Sequence, residues 1–186
     1  ILTLGRNLAD ELGCFAVINS RYPPSLVNMD DVRAIRKRKK VTDGFLLRIL
    51  QFKKEISENN LLPLVLILQE NDRTEPGPDL SLGYGQGERG RPEFPHRPTM
   101  SPSVLSTIRV GLEDQGLSTG MAPLESSLCR RDLYCLNQLF RQKDYLDSFF
   151  DPTVRSLVLG LRPSLYESEG AARETGAKLA ACFREF

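Results

Sequence analysis

At 186 residues, with 40% hydrophobic and 26% charged side chains, the chain is long enough to bury a core without covalent staples and too apolar to stay wholly disordered. Its 25 basic and 24 acidic side chains leave a formal charge of +1, which excludes a global field steering it to nucleic acid or an anionic membrane. Four scattered cysteines do not make the framework of a small secreted scaffold, and a single histidine excludes a histidine-based metal site within the chain.

In chain order, Leu2, Leu4, Leu8 and Leu12 have helical spacing and stop at Gly13. Cys14-Phe15-Ala16-Val17-Ile18 then reads as a short buried strand, and Pro23-Pro24 as a loop. Asp30 and Asp31 are expected to cap a helix running through Val32 and Ile35 into a basic end. A second amphipathic helix fits residues 43–58, with Phe45, Ile49, Phe52 and Ile56 as its stripe, ending at Asn59-Asn60. Leu64-Val65-Leu66-Ile67-Leu68 is the clearest strand, continuous as expected where both sheet faces are covered. Leu61 to Leu68, interrupted by Pro63, is the longest apolar stretch and too short to span a bilayer, which needs roughly 20 residues.

Residues 70–103 change character, with six prolines from Pro76 to Pro102 interleaved with Gly77, Gly83, Gly85, Gly87 and Gly90. They predict a long flexible loop or linker over 71–103, dividing an α/β half at 1–70 from a helical half at 104–186. In that second half, Leu128, Cys135, Leu136, Leu139, Leu146 and Phe149 suggest one helix from Ser126 or Ser127 to about Phe150. Val154 to Leu161 fits either a short helix or a strand, and Ser164 with Glu167 is expected to cap a last helix bearing Ala172, Leu179, Cys182, Phe183 and Phe186. The fold class read from these elements is α/β, helix-rich, with a small buried sheet in the first half and a helical second half.

Two catalytic or cofactor motifs match literally but lack their context. Gly116-Leu117-Ser118-Thr119-Gly120 fits G-x-S-x-G, yet His96 precedes the serine and no helix follows, so a small-residue loop is the better reading. Gly85-Gln86-Gly87-Glu88-Arg89-Gly90 fits G-x-G-x-x-G, but Pro92 and Pro95 deny the helix that would hold a pyrophosphate. Cys129 and Cys135 lie on different faces of the expected helix, so the cysteines read as core thiols. Carboxylate chemistry stays open at Asp30, Asp31, Glu70 and Asp72, with solvated helix caps as good a reading of the first two.

Segment order carries one family resemblance. Leu4 to Leu12 followed by Gly13-Cys14-Phe15-Ala16-Val17-Ile18-Asn19 resembles the helix and strand after the phosphate loop of AAA+ ATPases, and Leu64 to Glu70 looks like their Walker B strand with Gln69 in place of the magnesium-binding aspartate. The sequence holds no G-x-x-x-x-G-K-[ST], so the resemblance, confined to the first 70 residues, implies a degenerate or truncated nucleotide-binding domain.

Arg33, Arg36, Lys37, Arg38, Lys39 and Lys40 put six positive charges into eight residues. One or two would suffice to complement the helix dipole, and the surplus suits an import signal, a nucleic-acid or other polyanion contact, or a solvated face. The opening Ile1-Leu2-Thr3-Leu4 has no charged leader, and no Asn-X-Ser/Thr acceptor occurs, so the expected setting is intracellular, cytoplasm or nucleus, within a larger protein. The expectation is a non-enzymatic interaction or scaffold module, with no catalytic residue, metal or cofactor and no membrane partner. Other protein subunits are its expected partners, and nucleic acid a possible one through residues 33–40.

Overall fold

The computed structural model describes residues 1–20, 26–38, 44–71, 77–129, 132–141, 149–184 and 186. Its helices are α1 (Leu2–Leu12), α2 (Val32–Lys37), α3 (Phe45–Glu58), α4 (Pro102–Asp114) and α5 (Glu169–Phe183). Strands β1 (Leu64–Glu70), β2 (Leu80–Gly83), β3 (Thr119–Met121) and β4 (Arg155–Leu161) form one mixed sheet in the order β1-β4-β2-β3. β1 runs parallel to β4, β2 antiparallel to β4, and β3 parallel to β2. The α/β class therefore holds, while the division into halves is redrawn, because the sheet draws strands from all three expected segments.

β4 explains the difference. Residues 156–161 are all buried, so the strand has no solvent face and shows none of the polar alternation that separates strand from helix in a short run. Leu157, Leu159 and Leu161 join Leu80 and Leu82 of β2 under α1, α4 and α5, through Leu4, Leu8, Leu105, Ile108, Leu112, Leu179 and Phe183. The opposite face meets Leu128, Cys129 and Ala122 at Val158, with Val65 and α3 residues Leu46, Ile49 and Leu50 around Val32, Leu139, Phe140, Phe149 and Val154.

Several boundaries move for local reasons. Cys14–Ile18 is not a strand: it pairs in no ladder, with Phe15 44% exposed and stacked on Phe52 of α3 at 4.4 Å. The helix expected over 126–150 is replaced by 3₁₀ turns at Ser127–Cys129 and Leu136–Arg141, while residues 142–148, with Leu146, lie outside the described residues. Buried Asn137 and Gln138 point into this layer, so the polar positions of the supposed helix face inward. Ser101-Pro102, expected inside the loop, starts α4: Ser101 Oγ accepts from Val104 N, and proline fills the first turn where its missing N–H costs nothing. Ser168, rather than Ser164, caps α5 by accepting from Ala171 N at 3.0 Å.

The Gly/Pro-rich segment supplies β2 and then an excursion that closes on itself. Thr99 N and Arg97 N donate to Tyr84 O and Gly85 O at 2.8 Å each, and Glu88 N donates to Phe94 O at 2.9 Å. Glycine is required where a Cβ on Gly83 would lie 1.7 Å from Leu128 O and one on Gly85 2.0 Å from Arg97 O. Beneath it, Thr99 Oγ1 donates to Ser156 O at 2.6 Å, Asn137 Nδ2 donates to Thr99 Oγ1 at 3.3 Å, and Ser156 Oγ bonds Asn137 Oδ1. Arg141 adds bonds to the carbonyls of Pro152, Thr99 and Val154, and burial pushes its guanidinium pKa down. No described helix is long and apolar enough to cross a membrane.

Candidate functional site

Of the basic run, Arg33 is held by contacts of its own. Asp31 caps α2 by accepting from Arg33 N at 2.8 Å, and the same carboxylate pairs with the Arg33 guanidinium at 2.8 Å. Hydrogen bonding from Arg33 holds the Asp31 carboxyl below its ordinary pKa. The Arg33 guanidinium also stacks 4.2 Å over the ring of Tyr134, so Arg33 turns toward a neighbouring segment instead of joining its basic neighbours. Arg36 and Lys37 occupy the exposed last turn of α2, where cations suit the helix dipole, and Arg38 forms its C-cap. Lys39 and Lys40 lie outside the described residues.

What sequence reasoning missed is the cleft that Arg33 enters. Val32 N donates to Tyr134 O at 2.9 Å, Leu136 N donates to Asp30 O at 2.8 Å, and Asp31 forms an antiparallel bridge with Cys135. This short ladder joins the start of α2 to residues 132–136 and frames an open cleft of about 370 Å³ lined by Asn28, Asp30, Asp31, Arg33, Glu125, Ser126, Ser127, Asp132, Tyr134 and Cys135. Among the described residues, four carboxylates and one guanidinium line it, with Asp31 and Arg33 already paired to each other. No periodic signal in the sequence links residues 28–33 to 125–135. Among the described residues, no group of three or more His, Cys, Asp and Glu side chains is placed to hold a metal ion.

The literal motifs are used structurally. Ser118 Oγ donates to Asp79 Oδ2 at 2.7 Å, Ser118 N donates to the same oxygen at 2.9 Å, and Asp79 N donates back to Ser118 Oγ at 2.9 Å. This reciprocal clasp sets the start of β2 beside β3, with Arg162 3.7 Å from Asp79. His96 lies past the other end of β2, its Nδ1 accepting from Gly87 N at 3.2 Å. Cys129, Cys135 and Cys182 are buried free thiols, as expected, whereas Cys14 is exposed. Of the other candidate carboxylates, Glu70 is exposed at the end of β1 and Asp72 lies outside the described residues. The strand that the likeness to AAA+ ATPases requires at 14–18 is not in the sheet, and Gln69 lies on β1 at the sheet's edge.

That edge is the second candidate surface. Arg155 N donates to Pro63 O at 3.0 Å and Asn71 N donates to Leu161 O at 2.9 Å, which fixes the phase of the parallel ladder: Val65, Ile67 and Gln69 turn their backbone groups toward β4. Leu64, Leu66, Leu68 and Glu70 therefore direct N–H and C=O outward. No backbone hydrogen bond outside the sheet reaches Leu64, Leu66 or Leu68 among the described residues. β1 is only half-buried along Leu64–Gln69, and it is preceded by Leu61 and Leu62, 63% and 58% exposed. The leucines are placed there by the end of α3, where Asn60 adopts φ 58 and Leu61 N donates back to Ile56 O at 3.2 Å. Against known proteins, the chain matches no family profile, no curated protein and no solved structure.

Proposed function

We propose that this chain is a non-enzymatic protein-interaction module that takes an extended apolar segment of a partner protein along the outer edge of β1. The observation that carries the reading is the outward phase of Leu64, Leu66 and Leu68 on an edge strand. Lysine, an internal proline or a bulge keeps most sheet edges from pairing, and Leu64–Leu68 contains none of them. An added strand would find backbone partners at alternate residues and an apolar shelf at Leu61 and Leu62. Carrying these two leucines from water into an interface adds roughly 1–2 kcal/mol each.

The occupant is a partner rather than a second copy. Antiparallel self-pairing through all seven residues would set Leu64 opposite Glu70 and carry Leu61 and Leu62 beyond the charged end of the partner copy's strand. The two exposed leucines would then gain no strand of the second copy to cover them, whereas a partner segment of aliphatic sequence matches them.

The test uses a soluble seven-residue peptide alternating valine and lysine as the probe strand, titrated by calorimetry into wild type and Leu66→Pro. Proline at 66 removes an outward N–H and leaves every β1–β4 hydrogen bond in place. Binding by wild type and at least tenfold weaker binding by a folded Leu66→Pro protein are expected. Equal binding by both would overturn the proposal, and a concentration-dependent dimer that excludes the peptide would assign the edge to a second copy.

A further inference from the structure

We infer that Cys14–Ile18 is a conditional fifth strand that closes the β1 edge and competes with the partner segment; the inference rests on the edge reading above. Three observations point to it. The segment is a continuous run of apolar, strand-favouring composition, Cys-Phe-Ala-Val-Ile, yet it joins no ladder and leaves Phe15 44% exposed. It is tied to the two helices that pack against β1: Cys14 N donates to Ala9 O at the end of α1, whose Gly5 lies beside Leu68 of β1, and Phe15 stacks on Phe52 of α3, whose Leu46, Ile49 and Leu50 share a core cluster with Val65 of β1. The connection has the form of a βαβ unit, with α2 and α3 between residues 14–18 and β1, and such units place the first strand parallel to the second.

In the described arrangement the gate is open. Closing it requires only that residues 14–18 move onto the edge, giving Leu64, Leu66 and Leu68 backbone partners and withdrawing Phe15 from water. A partner strand must then displace the chain's own segment, so the apparent affinity falls by the fraction of molecules that are open.

Amide hydrogen exchange of the free protein tests the gate, read at Leu64, Leu66 and Leu68 in wild type, Val17→Pro and Ile18→Pro. Proline at two successive positions covers both parities of the segment, so one substitution must remove an N–H facing β1 whatever the register. The expected result is exchange of these amides slower than the open-chain rate in wild type, rising to that rate in one or both variants while the amides of β4 stay slow. Wild-type amides exchanging at the open-chain rate, or protection unchanged in both variants, would overturn the inference. The valine-lysine peptide separates this outcome from that of the parent reading. Tighter binding by the deprotected variant supports both, protection lost without any binding leaves the gate and removes the partner, and binding with no protection removes the gate alone.

Discussion

Asp151→Asn isolates the electrostatic link between α3 and the strand that follows residue 151. The Asp151 carboxylate lies 2.5 Å from Lys53 Nζ and accepts from Thr153 N at 3.0 Å and Thr153 Oγ1 at 2.6 Å. Burial alone would push its pKa up, but the bonds from Lys53 and Thr153 outweigh it and hold the carboxyl at about 2, against an ordinary 3.8. Because the folded value is depressed, the stabilisation is fully present above pH 3.8 and is lost as pH falls through about 2. At about 1.4 kcal/mol per unit the gap sets an upper bound near 2.5 kcal/mol. Solvent screening at this partly exposed pair reduces it to about 1–2 kcal/mol. Asparagine keeps the acceptor for Thr153 and removes the charge, so at pH 7 the variant should melt about 2–7 °C lower than wild type. Urea titrations from pH 7 to pH 2 should show the two proteins converging at the acid end. Equal stability at pH 7, or a deficit that persists undiminished at pH 2, would refute the reasoning.

Other expectations follow from single contacts. Gly83→Ala drives a Cβ to 1.7 Å from Leu128 O and should cost about 3 kcal/mol or more, whereas Gly116→Ala, with open space but φ 74, should cost only about 1–2 kcal/mol; chemical denaturation compares them. Ser118→Ala breaks the clasp on Asp79 and should lower stability by about 1 kcal/mol while abolishing no ester hydrolysis, checked by melting and a chromogenic ester. Replacing Arg36, Lys37, Arg38, Lys39 and Lys40 by serine should change stability by about 1 kcal/mol or less and remove any retention on heparin across a salt series. Thiol labelling of the native protein should modify Cys14 alone, faster with rising pH because burial raises its pKa, while Cys129, Cys135 and Cys182 react on unfolding.

The elements with complete local signals were legible: α1 from its leucine spacing and Gly13, the Asp31 cap of α2, and the aliphatic run of β1. Where tertiary packing decided, local reading failed. Leu80–Gly83 lies among prolines and glycines and is a strand because β4 and β3 flank it, and β4 itself carries no polar alternation because both its faces are covered. The glycines at 83, 85 and 87 looked like loop composition, yet they are required by backbone approaches that only the folded chain creates. Of the candidate site, the basic residues were visible but the contacts of Arg33 were not: it faces Asp31 and Tyr134, the latter far away in the chain, and sequence spacing carries no sign of that pairing. The open edge was half legible, since the run Leu64–Leu68 announced a strand without saying that only one side of it would be paired.

The parity of the β1 edge offers the most direct measurement of the interaction reading. In an amide-resolved exchange experiment with the valine-lysine peptide at saturation, Leu64, Leu66 and Leu68 should slow by at least a further tenfold, while Val65 and Ile67, already bonded to β4, should hold their rates. Slowing of both sets alike, or of neither, would contradict strand addition at this edge.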